Sequence, residues 1–473
     1  MTIKMLHISD VHLGVEKYGN QGGLTGQSTR LDDFLRSFDQ AIDAAIEREC
    51  DLMVFAGDAF KTRDPNPTVQ REFARRIIRL VQHDIPAFLL VGNHDLPNAS
   101  ARAHTLEIYD TLNIPGVQVA RKPGIFHVAT RQGMVQVVAI PWVTPHTLLT
   151  KEENRALTIQ ELNGLMADKI EEIVDTRAQE LDLNRPAILT MHNSVQGAAF
   201  SSEQDIMLGN DVIVRADTIR KSAFSYVALG HIHKYQLVWN EPLAVYCGSL
   251  ERIDFGEEKE DKGFVIVSFD EREQAEVGQN RWRASHEFVK TAARPFLTIK
   301  VDGNVAQPTE AVLYEIGKQA KKLPGAVVKV IVRTSTEFAA ALREADIRRA
   351  LHEGGVSYIA AVVKDMDRGE RLRSNDQLAE QLSPHEALER YLKHRKTAPA
   401  RASTLLRYAD ELIGVGTPTT SGADHGDQDG TGELASQPSS VHSQHRVFCL
   451  PIRSNALLIC MMQPDHGSTC HTI

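Results

Sequence analysis

Cysteine is scarce in this chain and forms no recognisable pattern. The five cysteines lie at positions 50, 247, 449, 460 and 470, and no two of them make a Cys-x-x-Cys pair. This excludes a disulfide-stapled secreted domain and a structural zinc site built on thiolates. The usage predicts a protein of a reducing compartment.

Long apolar runs and an excess of positive charge are also missing. The closest approach to a membrane span, residues 447–462, is interrupted by Pro451, Arg453 and Asn455, and a span needs roughly 18 apolar residues. The start, MTIKMLHISD, has too short an apolar stretch for a signal peptide. We expect a soluble, cytoplasmic protein. The formal net charge of -9 argues against coating of nucleic acid through bulk charge, but a local basic groove stays compatible with it.

What the first 270 residues do contain is an alternation of short apolar runs and amphipathic stretches. The apolar runs predict buried strands, and they read IKMLHI, DLMVFAG, AFLLVG, VQVVAIP, PAILTMH and YVALGH. Two stretches between the first three runs, LDDFLRSFDQAIDAAIERE and TVQREFARRIIRLVQH, carry apolar residues at helical spacing. The pattern predicts an α/β fold in which helices cover a sheet.

The remainder of the chain changes character twice. Residues 294–364 predict β-α-β-α-β, with helices over 308–322 and 343–353, which suits a small separate α/β domain. Residues 383–413 predict two helices, with Ser383 as cap and Pro384 at the first helical position of the first helix. After Gly414, Gly, Ser, Thr, Asp and Gln dominate, which predicts disorder.

Five short segments place Asp, His or Asn immediately after a predicted strand. A lone Asp at such a place is more often a helix cap, and a lone His is more often a hydrogen-bonded structural residue. Five together are not explained in that way, because the carboxyl ends of strands meet at one edge of an α/β sheet, where such folds bind ligands. The residues are Asp10 and His12, Asp58, Asn93 with His94 and Asp95, His192, and His231 with His233.

Two of these segments carry a pair at i, i+2 spacing: Asp10 with His12, and His231 with His233. In an extended segment both side chains of such a pair project from the same face. Glycine directly precedes Asp58, Asn93 and His231, and we expect it to let the backbone turn sharply there.

Without His94 and Asp95, the segments supply oxygen and nitrogen donors and no sulfur. Seven donors that share one carboxylate make two metal sites of about four ligands each, and this donor set suits manganese, iron or zinc. Two ions about 3.5–4 Å apart stabilise an in-line displacement at phosphorus, which predicts a phosphoester hydrolase.

The order Asp-x-His, Gly-Asp, Gly-Asn-His-Asp, His, Gly-His-x-His resembles the calcineurin-like metallophosphoesterase superfamily. Finer details, HISDVHLG, AGDAF, VGNHDLP, ALGHIHK and YCGSLERIDFGEE, are similar to the SbcD-type double-strand-break repair nucleases. The resemblance covers residues 3–413 and leaves out the tail. It implies a metallophosphoesterase sandwich of mixed sheets flanked by helices, with a small C-terminal α/β capping domain.

The resemblance also implies how the ligands divide between two Mn²⁺ ions. One ion would be held by Asp10, His12, Asp58 and His233. The other would be held by Asp58, Asn93, His192 and His231, with Asp58 as the bridge.

For the chain as a whole, the resemblance implies a nuclease domain over 1–285, a DNA-capping domain over 290–366, and a helical segment over 380–414 that docks a coiled-coil ATPase of SbcC type. Residues 415–473 would be a disordered tail. The implied activity is Mn-dependent 3′-5′ exonuclease action on double-stranded DNA ends, with endonuclease action on single strands and hairpins. The family also dimerises through helices near the metal edge, which in this chain would lie around 68–82 and 98–112.

One departure from the family pattern concerns Lys61 in GDAFK, where several repair nucleases have histidine. A protonated lysine is not a routine metal ligand, but its ammonium can hold a phosphate. We treat Lys61 as a DNA-backbone contact, with a plain exposed lysine as the alternative.

Within VGNHDLP, the three polar residues have separate predicted roles. Asn93 is a ligand whose neutral amide adds no negative charge where a phosphodiester docks. By strand alternation His94 points away from the metals toward the substrate and is the general acid for the leaving 3′ oxygen. Asp95 is predicted to orient His94.

Two other functions use parts of the same sequence. A small-molecule phosphodiesterase or phosphatase would need the same ligands but not the extension over 294–413. A DNA-end tethering scaffold would need the extension but not an intact ligand set.

Overall fold

Strands and helices alternate along the chain in the computed structural model, which describes residues 2–22, 26, 28–97, 102–148, 157–200, 211–366, 384–395 and 397–413. The strands in chain order are β1 (Thr2–Ile8), β2 (Leu52–Phe55), β3 (Ala87–Leu90), β4 (Val117–Ala120), β5 (Gly124–Thr130), β6 (Gly133–Ile140), β7 (Ala187–His192), β8 (Ser194–Val195), β9 (Ile213–Val214), β10 (Tyr226–Gly230), β11 (Gln236–Asn240), β12 (Leu243–Tyr246), β13 (Gly263–Glu271), β14 (Trp282–Lys290), β15 (Phe296–Asp302), β16 (Val327–Thr334) and β17 (Tyr358–Met366). The α-helices are α1 (Thr29–Glu47), α2 (Pro67–Val81), α3 (Glu107–Thr111), α4 (Pro145–Leu148), α5 (Ile159–Gln179), α6 (Ala216–Ile219), α7 (Pro308–Lys318), α8 (Thr336–Ala339), α9 (Glu344–Glu353), α10 (Pro384–His394) and α11 (Pro399–Ile413). Short 3-10 helices lie at Phe255–Glu257 and Ala320–Lys322.

The chain divides into two units, residues 1–375 and 376–473. The first contains, in its described part, two six-stranded sheets with the orders β14-β13-β1-β2-β3-β4 and β11-β12-β10-β7-β6-β5. Strands β1 to β4 are parallel and β13 joins β1 antiparallel, while β5 and β11 are the antiparallel edges of the other sheet. The predicted sandwich of mixed sheets flanked by helices is therefore confirmed.

The two sheets face each other across a shared apolar core because their strands alternate buried side chains. On β1, Ile3 and Met5 belong to the core between the sheets, whereas Leu6 and Ile8 belong to the core under α1 and α2. A third core packs α5 against the outer face of the second sheet. Burial on both faces explains why these strands appear in the sequence as continuous apolar runs.

The core between the sheets also holds one buried histidine, His7 of β1. Its Nδ1 lies 3.0 Å from the hydroxyl of Tyr226 on β10, and burial lowers the pKa of His7 to about 3. The folded protein therefore keeps His7 neutral at pH values at which the unfolded chain takes up a proton.

We expect this difference to make the free energy of unfolding depend on pH. The contribution is complete above pH 6.5 and is lost as the pH falls from 6.5 toward 3, because only the unfolded state binds the proton. Between pH 7 and pH 5 the wild type should lose about 2 kcal/mol more than His7→Gln, which keeps a partner for Tyr226 but does not titrate. Urea denaturation at both pH values measures this, and equal losses in the two proteins would show the prediction to be wrong.

Of the remaining strands of the first unit, β8 and β9 pair with each other, and the other three form a parallel sheet in the order β15-β16-β17. Its core includes Val312 of α7 and Ile347 of α9. This is the β-α-β-α-β order predicted for residues 294–364. The small sheet is joined to the rest of the unit by an ion pair between Arg294 and Asp33. The ring of Tyr18 also lies against Phe296 of β15, at a centroid distance of 5.5 Å.

In the second unit, α10 and α11 pack through Leu388, Leu392 and Ala409, and His385 Nδ1 lies 2.6 Å from a carboxylate oxygen of Asp410. The two helices predicted over 383–413 are present, while Ser383 and the tail lie outside the described residues. None of the described helices combines the length and the apolar character that a membrane crossing needs.

The helices expected to serve dimerisation differ in length. The first corresponds to α2, but within the described part of 98–112 the helix is only Glu107–Thr111. On and beside this short helix, Ile108 and Leu112 are 51% and 62% exposed.

Candidate dimetal centre

The predicted ligands gather where strands of both sheets end. Asp10, Asp58 and Asn93 follow the adjacent strands β1, β2 and β3. His192 is the last residue of β7 and is paired with Gly230, the last residue of the neighbouring strand β10. The prediction that the ligands meet at the carboxyl edge of a sheet is thus met by two sheets together.

At one end of the cluster lie Asp10, His12 and His233. His12 Nε2 is 3.0 Å from His233 Nε2 and 3.9 Å from a carboxylate oxygen of Asp10. The three residues are buried and have ligand atoms within 4.8 Å of one another, as a metal site requires.

At the other end lie Asn93, His192 and His231. The amide oxygen of Asn93 is 3.0 Å from His192 Nε2 and 3.2 Å from His231 Nδ1. The two histidines of Gly-His-x-His therefore serve opposite ends of the cluster, one through Nδ1 and the other through Nε2.

Asp58 lies between the two ends. Its Oδ2 is 3.7 Å from His12 Nε2 and 3.4 Å from His192 Nε2, and its other oxygen accepts a hydrogen bond from the backbone N–H of His94. This position is the one a bridging carboxylate would need.

The local backbone differs from the extended geometry assumed for the i, i+2 pairs. Asp10 and His12 have φ values of 50° and 46°, in the left-handed region, so strand alternation does not explain their convergence. Gly57 has φ 102°, and a Cβ there would stand 2.2 Å from His192 Nδ1. Glycine before Asp58 thus permits a turn, as expected, and also the close approach of the second sheet.

The donor set fits a pair of cations. Around His12 Nε2 stand three acceptors, on Asp10, Asp58 and His233, and one proton satisfies only one of them. Burial also lowers the pKa of His12 well below its usual value, so this imidazole is neutral. A cation in their midst would be bound by all of these atoms at once.

At the end of the cluster that contains His192, the surrounding groups also favour a positive charge. Burial alone would lower the pKa of His192, but the Asp58 carboxylate beside it raises that pKa to about 9. His192 Nδ1 donates to the carbonyl of Ala56 at 2.7 Å, so the extra proton is on Nε2, directed at the cluster. Metal binding replaces such a proton.

Residues outside the ligand set hold two of the histidine rings. Glu257 accepts a hydrogen bond from His233 Nδ1 at 2.8 Å, and although burial alone would raise its pKa, Lys262 and His233 hold that pKa at about 2. Asp211 contacts His231 Nε2 at 3.4 Å and accepts a hydrogen bond from Ser194.

Trp142, like Glu257 and Asp211, was not predicted to belong to the site. Its ring lies 5.1 Å from that of His231 and forms one wall of the cluster. Its place two residues after β6 was a signal that could have been used, because β6 neighbours the strand that ends in His192.

The environment of His94 contradicts two predictions, that strand alternation sets its orientation and that its side chain points away from the metals. Strand β3 ends at Leu90, so strand alternation does not govern His94, and its Nε2 stands 4.0 Å from Asp58 on the cluster side. Its Nδ1 donates to the carbonyl of Lys61 at 2.9 Å. Burial lowers the pKa of His94, and its side chain keeps 33% exposure, so a substrate can reach it.

Asp95 does not orient His94. Its carboxylate accepts hydrogen bonds from the backbone N–H groups of Asp58, Ala59 and Gly92, at 3.0, 3.0 and 2.9 Å. Asp95 therefore holds the loops after β2 and β3 together and acts on the site through the backbone of Asp58.

Lys61 lies at the rim of the site. It belongs to the loop that follows β2, and its charge contributes to lowering the pKa values of His12 and His94. Lys61 is half-buried, and its contact with DNA stays a prediction.

Comparison with known proteins places this geometry in context. The model of the calcineurin-like phosphoesterase family matches residues 3–235. Similar proteins include the DNA double-strand break repair protein Mre11 of Archaeoglobus fulgidus, 26% identical over 369 residues that cover 73% of this chain and 74% of that protein. A subunit of the nuclease SbcCD from Escherichia coli strain K12 is 28% identical over 274 residues, 56% of this chain and 65% of that protein.

Coverage of the relatives is uneven. The Mre11 protein of Methanosarcina acetivorans is 24% identical over 329 residues, which are 69% of this chain but 45% of that protein. The chain thus spans less than half of that relative and just under two thirds of the E. coli protein. Among solved structures, a dimetal phosphatase from Danio rerio covers 60% of this chain and 98% of its own, with 10% identity and a TM-score of 0.34.

Proposed function

Because residues 3–235 belong to the calcineurin-like phosphoesterase family, as the motifs predicted, we propose that the chain is a manganese-dependent DNA nuclease of SbcD type. The observation that carries the proposal is the convergence of two carboxylates, one amide and four imidazoles from two sheets on one cluster. The similarity to a DNA double-strand break repair protein and to a nuclease subunit supports DNA as the substrate.

Asp10, His12, Asp58 and His233 would hold one Mn²⁺, and Asp58, Asn93, His192 and His231 the other. Bound there, the two ions would activate water and stabilise the charge that develops at phosphorus during an in-line displacement. An uncharged ligand such as Asn93 leaves the site less negative, which favours the approach of a phosphodiester anion.

The protein's own proton donor would be His94. Its Nδ1 proton is fixed by the carbonyl of Lys61, so Nε2 faces the cluster and is the atom that can deliver a proton to the leaving 3′ oxygen. Burial opposes protonation of His94, but an incoming phosphodiester brings the negative charge that favours the imidazolium.

The finer activities follow the family pattern. We propose 3′-5′ exonuclease action on double-stranded ends and endonuclease action on single strands and hairpins. Residues 290–366 would cap the DNA, and the helices within 380–414 would dock a coiled-coil ATPase of SbcC type. A homodimer and association with the nucleoid complete the proposal.

Two substrates offered with Mn²⁺ test the proposal: a linear duplex and the small diester bis-p-nitrophenyl phosphate. Degradation of the duplex is the expected result. Cleavage of the small ester alone would indicate a small-molecule phosphodiesterase, and cleavage of neither would indicate a tethering scaffold.

Lys61→Ala tests the predicted phosphate contact at the rim. We expect weaker binding of duplex DNA and a slope of log affinity against log salt that is reduced by about 1, as for the loss of one phosphate contact. Lys169→Ala, on the exposed side of α5, is the matched control and should change neither quantity. Unchanged affinity, salt slope and cleavage rate in Lys61→Ala would show that Lys61 is a plain surface lysine.

A further inference from the structure

One short turn touches both the metal cluster and the small sheet. It consists of residues 254–258, which we call the linking turn, and it contains the 3-10 helix Phe255–Glu257. Asp254 caps this helix by accepting a hydrogen bond from the N–H of Gly256 at 2.8 Å. The turn is therefore an ordered structure, and a movement of one of its ends can move the other.

On the cluster side, Glu257 fixes the ring of His233. Glu257 is fully buried, and its Oε1 accepts the His233 Nδ1 proton at 2.8 Å. Its Oε2 accepts from the backbone N–H of Ile253 at 2.9 Å and lies 3.0 Å from Lys262 Nζ. A carboxylate held from several directions in this way sets both the tautomer and the orientation of the histidine it contacts.

On the other side, the next residue is bonded to β15. Glu258 accepts two hydrogen bonds from Thr298, from its N–H at 2.9 Å and from its hydroxyl at 2.6 Å. Phe255 lies against Phe296 at a centroid distance of 4.9 Å, and Lys329 Nζ of β16 stands 4.2 Å above the Phe255 ring. The linking turn is thus attached to two strands of the small sheet.

We propose that the linking turn couples the seating of the small sheet to the His12–His233 end of the metal site, with Glu257 as the positioning residue. Glu257 and Glu258 are consecutive, so a shift of β15 that pulls Glu258 also moves the carboxylate that orients His233. The inference rests on the proposed metal site, but it does not depend on which phosphodiester is cleaved.

Thr298→Val tests the coupling from the side remote from the ligands. The substitution keeps the shape of the side chain and removes the hydroxyl that donates to Glu258. We expect the affinity for one of the two Mn²⁺ ions to fall about 2- to 30-fold, the range of couplings carried through packed networks, while the other ion binds as in the wild type. Titration of the whole chain with Mn²⁺, followed by calorimetry and by the EPR signal of free Mn²⁺, measures both affinities without any substrate.

The matched control is Thr309→Val in the same small domain. Thr309 is buried and hydrogen-bonded to Ala341 and Arg343, away from the linking turn, so its loss disturbs the domain without cutting the link. We expect wild-type affinity for both ions. Weakening in this control equal to that in Thr298→Val would overturn the proposal, because general damage to the small domain would then be sufficient.

Glu257→Gln tests the positioning residue itself. We expect affinity at the same ion to fall about 10- to 100-fold, as for other partners that orient a ligating histidine. Adding Thr298→Val to Glu257→Gln should cause little further loss, because the link is already cut. Additive losses would overturn the coupling, and if Glu257→Gln fails to fold, Glu258→Gln takes its place with Thr298→Val.

The outcomes separate this inference from the proposed function. Wild-type binding of two Mn²⁺ ions that Thr298→Val leaves unchanged would overturn the inference alone. A wild type that binds no Mn²⁺ would overturn both.

Discussion

Asp58→Asn is expected to abolish Mn²⁺-dependent cleavage of duplex DNA, with a loss in rate of about 10³-fold or more. Asp58 lies between the two ends of the cluster, at 3.7 Å from His12 Nε2 and 3.4 Å from His192 Nε2. An amide has one oxygen in place of two and carries no charge, so it cannot serve two cations equally. The number of Mn²⁺ ions bound per chain should fall as well, and titration calorimetry measures it.

The asparagine variant is chosen because it should keep the fold. Its amide oxygen can still accept the hydrogen bond that the His94 N–H donates to Asp58 at 2.8 Å. Asp64→Asn is the matched control, because Asp64 lies six residues further along the same loop with a side chain that is 78% exposed. Near-normal cleavage by Asp58→Asn, or an equal loss in the control, would contradict the bridging role.

His94→Gln is expected to lower the rate of duplex cleavage by about 10²- to 10⁴-fold, the usual contribution of a general acid or base, and to leave Mn²⁺ affinity within about twofold of the wild type. Glutamine can still donate to the carbonyl of Lys61, so the loop should keep its position. The distinction matters because the ligand atoms of His94, His12 and Asp58 are close enough together to hold an ion.

A change of leaving group separates the two roles of His94. p-Nitrophenolate leaves without a proton, so cleavage of bis-p-nitrophenyl phosphate should fall much less than cleavage of DNA in His94→Gln. A metal ligand would instead be needed equally for both substrates. Equal losses accompanied by weaker Mn²⁺ binding would show that His94 is a ligand and not the acid.

The elements of the fold that were predicted are those with strong local patterns. Buried strands such as β1 and β7 appear as apolar runs, and α1 and α2 show helical periodicity. The edge strand β11 was missed because three of its five residues are exposed and the apolar run is broken. The helix α5 was not predicted either, although Met166, Ile170 and Val174 recur at its buried face.

The candidate site was predicted unevenly for a physical reason. The ligands could be found because each lies at or just after the end of a strand, within a short motif. The carboxyl ends of neighbouring strands lie side by side at the edge of a sheet. The orientation of His94 and Asp95 could not be found, since it depends on how the chain leaves β3 and which backbone amides lie within reach. Asp211 offered no signal at all, because only the folded chain brings it to His231.

The division of the ligands between the two sheets has a mechanical consequence. Asp10, Asp58 and Asn93 follow strands of one sheet, whereas His192 ends a strand of the other sheet and His231 directly follows one. Cations bound to both sets would add cross-links between the two sheets at this edge of the sandwich, beyond the apolar core that the sheets share. Chelation would then abolish the activity and also lower the free energy of unfolding, so that resistance to unfolding would itself report on metal occupancy.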